Sequence, residues 1–219
     1  QSLAKSIIKN YQANKYYHLK NGLSQLPLQM LQELQHKFDF FLTEKVIKIT
    51  DGNNIYTKKN HYTADHIIFA CPPHYIKNIE GTNELTPILA AIGEQILNRI
   101  YAYFEDGSWF PGRVMHGSGP ISQVVPINKN VIMISYSTGL EAKYWMEREI
   151  DGVLWEGLKS ELEGMGVKVV EKPTWIKQNY WNPGTHFYNP NFDPVYMQNL
   201  SFKPLQNKEW HIIGEAFSL

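Results

Sequence analysis

The sequence has 219 residues, of which 43% are hydrophobic and 19% are charged. This composition is typical of a globular protein and excludes extended disorder, and the length allows one or two domains with a sizeable core. Lys plus Arg and Asp plus Glu both total 21, so the formal net charge is zero. Because there is no basic surplus, we expect neither a nucleic-acid partner nor binding to an anionic membrane.

The single cysteine and the scattered histidines limit the chemistry further. Cys71 has no second cysteine to pair with, so nothing argues for secretion and we expect a cytoplasmic protein. The eight His residues show no tight pair with a carboxylate, so no metal site is expected. The sequence contains no G-x-G-x-x-G, P-loop, G-x-S-x-G or H-E-x-x-H motif, and no stretch long and apolar enough to span a membrane.

The first part of the chain predicts helices followed by short strands. A short helix is expected over residues 2–11 and an aromatic strand over 15–19. Leu26, Met30, Leu31 and Leu34 have helical spacing, with Pro27 in the first turn. From Phe38 onward the pattern predicts two strands, a turn over 51–54 and another strand, and then a buried strand over 66–73 that two prolines end.

The rest of the chain predicts a further mixture of helices and strands. Helices are expected over 87–97 and over 141–164, the latter broken near Asp151-Gly152. The predicted strands and loops are a strand at 99–104, a hairpin around 128–130, a strand at 175–181, a structured loop at 182–193 and a last strand at 210–213. Because strands and helices do not alternate strictly, we predict an α+β fold with a mixed β-sheet and helices on one side.

Several short stretches, taken in order, carry a family resemblance. They are TEKVIKITDGNNIYTKK followed by ADHIIFACPP, then RIYAYF, MISYSTGLEAKYW, NYWNPGTHFYNP and IIGEAFS. Their order and spacing over about residues 15–219 resemble the C-terminal half of the flavin-containing amine oxidases. That family includes monoamine, polyamine and L-amino-acid oxidases.

The resemblance implies residues that contact FAD. It puts the backbone of Val46 beside the adenine, although the sequence alone favours an ordinary core residue at Val46. It puts Cys71 and Pro72 near the dinucleotide, where the plainer interpretation is a strand terminator. It implies that Gly214, Glu215 and Ala216 contact the ribityl and pyrophosphate region, since Gly allows close backbone approach and a carboxylate accepts bonds from hydroxyls.

The resemblance also implies residues on the substrate side of the flavin. Trp181 and His186 would form part of an aromatic wall that favours amines, although both could simply pack a loop. Asn98 or Arg99 falls nearest the Lys that the family often uses to hold a water by flavin N5. Thr185 stands close to the position where monoamine oxidases bond covalently to the flavin, so FAD is expected to be non-covalent.

The resemblance divides the expected architecture in two. Residues 15–78 and 205–219 would form part of a Rossmann-like FAD-binding domain, and residues 79–204 a substrate-binding domain. The family's phosphate-binding G-x-G-x-x-G would precede these residues, and a Trp-rich and Gly-rich segment that enters a helix would follow them. We therefore expect a fragment that does not retain FAD alone and that further polypeptide would complete.

Two functions remain open from the sequence. The first is an FAD-dependent amine oxidase completed by the missing N- and C-terminal segments. A hydride would pass from the α-carbon of a small-molecule amine to flavin N5, giving an imine and peroxide. The second is a non-catalytic structural or interaction protein that retains only the substrate-domain scaffold.

Overall fold

The computed structural model describes residues 22–217, and contacts divide the chain between Lys45 and Val46. The helix predicted over 2–11 and the strand predicted over 15–19 lie outside the described residues. In the first unit, helix α1 (Gln25–Leu34) confirms the helical spacing. The strand predicted from Phe38 is wrong: residues 38–42 form bends, turns and irregular backbone with exposed Phe side chains.

The second unit begins with a small antiparallel meander. Strands β1 (Val46–Thr50), β2 (Asn54–Thr57) and β3 (His61–Thr63) are hydrogen-bonded in that order. The tight turn between β1 and β2 uses Gly52 and Asn53 at positive φ. The predicted turn and its two flanking strands are therefore confirmed.

A parallel strand pair joins two distant parts of the sequence. Strand β4 (Ile67–Phe69) pairs with the last strand, β10 (Trp210–Ile212), with Trp210 beside Ile67 and Ile212 beside Phe69. These four side chains are buried in a first hydrophobic core. Helices α2 (Pro73–Lys77), α3 (Thr86–Leu89) and α6 (Pro194–Phe202) contribute Ile76, Leu89 and Met197 to the same core.

A five-stranded sheet dominates the middle of the chain. Its strands are β5 (Ile92–Tyr103), β6 (Met115–His116), β7 (Gln123–Pro126), β8 (Val131–Thr138) and β9 (Trp175–Tyr188), in the order β6-β7-β8-β5-β9. Every neighbouring pair is antiparallel, whereas a mixed sheet was predicted. The only parallel strand pair among the described strands is β4 with β10. The α+β class is confirmed, and so is the β7–β8 hairpin.

A helix pair covers one face of this sheet. Helices α4 (Gly139–Ile150) and α5 (Leu154–Gly164) flank the break predicted at Asp151-Gly152, which is confirmed. Trp145 of α4 is fully buried and donates its indole N–H to the Pro120 carbonyl at 2.7 Å. Together with Ile100 and Leu158 it belongs to a second hydrophobic core, distinct from that around Trp210.

Two further predicted elements are wrong, and both contribute to the central strands. The helix predicted over 87–97 stops at Leu89, and Ile92 begins β5. The loop predicted over 182–193 continues β9 as far as Tyr188. The pairing of β5 with β9 shifts register between Gln95 and Leu97, and the Asn182–Pro183 peptide bond in this region is cis. Long-range strand pairing therefore overrides the local helical and loop signals.

Among residues 22–217, none of the helices is long and apolar enough to cross a membrane.

Candidate functional site

A cleft lies where the two parallel strands end. The chain leaving β4 and the chain leaving β10 run beside each other, and the Ile213 N–H donates to the Phe69 carbonyl at 2.9 Å. His186 of β9 completes the cleft, which has a volume of about 130 Å³. Its lining residues are Ala70, Cys71, Pro72, His186, Ile213, Gly214, Glu215, Ala216 and Phe217. In sheets with parallel strands, ligands bind outside the carboxyl ends of the strands, and this cleft has that position.

The cleft brings together most of the residues predicted to contact the cofactor. Cys71, Pro72, Gly214, Glu215 and Ala216 all line it. Val46 does not line the cleft. Its side chain packs instead against the first core, as do those of Cys71 and Ala216. Residues separated by more than a hundred positions in the sequence thus form one local surface.

Gly214 gives this surface a backbone that side chains do not cover. Its φ is +124°, a conformation that residues with a Cβ rarely adopt, and a Cβ placed there would meet no atom within 4 Å. A glycine is therefore required by the backbone geometry. The open space beside it lets a ligand approach the main chain closely.

The Cys71 thiol is partly buried in the cleft wall. Burial disfavours the thiolate and raises the pKa of Cys71 above its usual value, although a backbone hydrogen bond opposes the shift. A thiol with a raised pKa is a weak nucleophile at neutral pH. The Cys71 side chain packs against the first core from this wall.

His186 belongs to a half-buried group of two histidines and one carboxylate. Glu94 lies opposite His186 in the β5–β9 pairing, and His74 comes from the start of α2. Glu94 Oε1 accepts the His74 backbone N–H at 3.0 Å and lies 3.3 Å from His74 Nδ1. His186 Nε2 lies 3.7 Å from the same oxygen and is buried without a hydrogen bond among the described residues. The Glu94 carboxylate therefore faces both imidazoles.

Sequence reasoning missed Glu94 and His74. Glu94 fell in the helix predicted over 87–97, where it would not face residue 186. The signal that could have found it is the antiparallel pairing of two strands rich in β-branched and aromatic residues. His74 follows the prolines that end the buried strand, a position expected only to terminate the ladder.

The other predicted catalytic residues lie outside the lining of this cleft. Asn98 is fully buried on β5, opposite Ser137 and Tyr180, and its side-chain amide has no hydrogen-bond partner among residues 22–217. Arg99 places its guanidinium 4.7 Å from the centre of the Tyr136 ring. Trp181 pairs with Leu97 and is 43% exposed. Of the four residues predicted to be catalytic, only His186 lies in the cleft with the residues predicted to contact the cofactor.

The size of the cleft limits what it can hold. Pockets that enclose a drug-sized ligand have volumes of roughly 300–1,000 Å³, whereas this one has about 130 Å³. The exposed main chain at Gly214 and the nearby Glu215 carboxylate suit a ligand that carries hydroxyl groups. The residues present therefore fit one portion of a dinucleotide such as FAD, and the remaining portion would need other contacts.

The sequence model of the family described as flavin containing amine oxidoreductase matches residues 2–206. The match covers most of the chain, and the chain therefore belongs to this family. Comparison with curated proteins gives no significant match.

Solved structures share the fold at low sequence identity. A protein described as a protoporphyrinogen oxidase from Exiguobacterium sp. 255-15 aligns with a TM-score of 0.69 and 14% identity, over 90% of this chain and 47% of that one. A double mutant of putrescine oxidase, made in a structure-based redesign of cofactor binding, aligns with a TM-score of 0.66 and 14% identity, over 88% of this chain and 46% of that one. The chain thus spans about half the length of these two structures.

Proposed function

We propose that this chain is part of an FAD-dependent amine oxidase and that the cleft contacts the flavin cofactor. The observation that carries the proposal is the convergence of Cys71, Pro72, His186 and the 214–216 segment on one cleft. The family resemblance assigns each of these residues to the flavin or to the substrate side of the flavin. Membership in a flavin-containing family supports the same cofactor.

The chemistry would be divided between the cofactor and the chain. When bound, FAD would accept a hydride from the α-carbon of an amine and pass the electrons to oxygen, giving an imine and peroxide. Gly214 would offer main-chain contacts, and Glu215 would accept hydrogen bonds from ribityl or ribose hydroxyls. His186, which lies beside Glu94, would present its imidazole to the cleft. Thr185 cannot form a thioether, so the flavin would be non-covalent.

The two hydrophobic cores support a division into two domains, although with a boundary that differs from the predicted one. The first core contains β4, β10 and the end of the chain, as expected for an FAD side made of residues 15–78 and 205–219. The second core contains only residues between 100 and 176, inside the proposed substrate domain of residues 79–204. The first core also takes in Ile79–Ile92 side chains and Met197, so we place these with the FAD side.

We propose that further polypeptide completes the cofactor site. The cleft fits one portion of FAD, and the chain covers about half of each structure it resembles. A helix N-terminus that binds the pyrophosphate would supply much of the affinity for a dinucleotide. The 219-residue chain alone is accordingly expected to lose FAD on gel filtration.

The proposal is tested on the natural polypeptide that carries this sequence. We expect it to purify yellow, to release FAD on acid denaturation and to form peroxide with at least one amine in a panel of mono- and polyamines. A colourless polypeptide that gains no flavin absorbance with added FAD would favour the alternative, a scaffold without catalysis.

A substitution at Gly214 tests the proposed contact itself. Gly214→Val forces a branched side chain into a backbone with φ of +124° and into the open space of the cleft, so we expect flavin retention to be lost. Gly112→Val is the matched control, because Gly112 also has a positive φ, +65°, and open surroundings but does not line the cleft. Equal flavin retention in Gly214→Val and wild type would refute this contact.

A further inference from the structure

A second group of two histidines and a carboxylate lies on the exposed face of the parallel strand pair. His66 immediately precedes β4, Glu209 immediately precedes β10, and His211 is the second residue of β10. The Ile67 N–H donates to the Glu209 carbonyl at 2.9 Å, which fixes the register. Because Ile67 and Trp210 point into the first core, the alternate residues His66, Glu209 and His211 share the opposite face. This group does not touch the cleft.

The nitrogen atoms of the two imidazoles have the spacing of ligands on one metal ion. His66 Nδ1 and His211 Nε2 are 3.4 Å apart. A tetrahedral Zn²⁺ with Zn–N bonds of about 2.0–2.1 Å holds two nitrogen ligands about 3.3–3.4 Å from each other. Glu209 Oε2 lies 3.9 Å from His66 Nδ1, and the three potential ligand atoms all lie within 4.8 Å of one another. A small rotation of an exposed carboxylate would bring all three into coordination distance.

The hydrogen bonds around the group orient its potential ligand atoms toward one another. His211 Nδ1 contacts the Phe202 carbonyl. A carbonyl only accepts, so Nδ1 carries the proton, and the Nε2 lone pair is left facing His66. Lys203 Nζ binds Glu209 Oε1 at 2.7 Å and leaves Oε2 toward the histidines. Metal-ligating histidines and carboxylates are commonly oriented by such outer partners.

We propose that His66, Glu209 and His211 form a binding site for Zn²⁺ or a similar divalent transition-metal ion. Two imidazoles and one carboxylate are a ligand set that Zn²⁺ accepts, with a fourth position open to water or another ligand. The ion would clamp β10 to the start of β4, two segments that are 145 residues apart in the sequence. The sequence predicted no metal site because folding, and not spacing along the chain, brings these residues together.

Titration of the purified protein with ZnCl₂ tests the proposal, with binding followed by calorimetry and with Co²⁺ absorption as a second probe. Loss of a partner outside the coordination sphere typically weakens a metal site about 10- to 100-fold. We therefore expect His66→Ala and His211→Ala each to weaken binding by at least that factor, and Glu209→Gln to weaken it less. His116→Ala is the matched control, since His116 is an exposed strand histidine outside the group.

The outcomes separate this site from the histidines of the cleft. Tight binding that is lost in His66→Ala and His211→Ala but kept in His116→Ala and His74→Ala supports the proposal. It is overturned if the wild-type protein binds no Zn²⁺, if the His66 and His211 variants bind as wild type does, or if only His74→Ala loses the ion. Circular dichroism checks that each variant is folded.

Discussion

At Glu94 a single carboxylate joins three segments of the chain. It sits on β5, accepts the backbone N–H at the first turn of α2 and lies near the ring of His186 on β9. Its side chain is 19% exposed, so its loss would leave half-buried polar groups without a partner. Such groups cost more free energy when orphaned than their hydrogen bonds contribute when made.

Glu94→Ala should therefore lower the free energy of unfolding by about 1–3 kcal/mol. Glu94→Gln is the matched control, since its amide oxygen can still accept the His74 N–H, and it should cost clearly less. Urea denaturation of the two variants and the wild type measures both effects. Equal stability of Glu94→Ala and wild type would show that this carboxylate does not hold α2, β5 and β9 together.

Cys71 provides a test of burial in the cleft wall by pH. Because desolvation raises its pKa, the thiolate fraction at any given pH is smaller than that of an exposed cysteine. The rate of alkylation by iodoacetamide should consequently rise with pH along a curve displaced to higher pH than that of a short cysteine peptide. A curve that coincides with that of the peptide would mean that the thiol is solvated. A curve displaced to lower pH would mean that a positive charge stabilises the thiolate.

At the scale of elements, the sequence predicted best where local and long-range preferences agree. The β7–β8 hairpin, the break between α4 and α5 and the turn after β1 each have their own turn residues, and all are confirmed. The helix predicted over 87–97 was wrong. Its apolar residues Ile88, Leu89, Ile92 and Ile96 do have helical spacing, but pairing with β8 and β9 draws the residues from Ile92 onward into a strand. No local signal records a partner strand that lies far along the sequence.

The candidate site follows the same rule. Gly214 and Cys71 were predicted through the family resemblance, which depends on short stretches that can be recognised locally, and the cleft brings them together. The group of His66, Glu209 and His211 could not be predicted, because nothing in the sequence of β4 or of β10 indicates that the two strands pair in parallel. The parallel pairing creates both the cleft at its carboxyl end and the histidine group at its start.

The contact between β5 and β9 is close enough to require a glycine. A Cβ at Gly184 would lie 2.4 Å from Leu97 Cβ and 2.7 Å from Trp181 Cβ. Gly184→Ala should therefore destabilise the protein by about 1–3 kcal/mol, as overpacking does elsewhere. Gly164→Ala is the contrasting variant: it lies in the last turn of α5 with nothing near its Cβ and should stabilise by about 0.5–1 kcal/mol. Thermal melts of both variants measure these effects. If Gly184→Ala were as stable as wild type, β5 and β9 would be able to separate locally.

At the scale of the whole molecule, the described part of the second unit contains two cores and a cleft associated with only one of them. The cleft is formed by the ends of β4 and β10 from the first core and by His186 from the long strand β9. The second core, under α4 and α5, supports the sheet that carries His186 and Glu94. This arrangement fits the proposal that the chain presents a few side chains to the cofactor and that other polypeptide binds the larger part of the cofactor.

The most direct test of this account is the protection of Cys71 by FAD. In the natural polypeptide stripped of flavin, the rate of alkylation at Cys71 is measured by peptide mass spectrometry with and without added FAD, and with AMP as a control for the adenine half alone. We predict that FAD slows alkylation of Cys71 at least about tenfold, because the bound cofactor would cover a thiol in the cleft wall. Alkylation of Cys71 at the same rate when FAD is demonstrably bound, or failure of the stripped polypeptide to bind FAD at all, would contradict the proposed site.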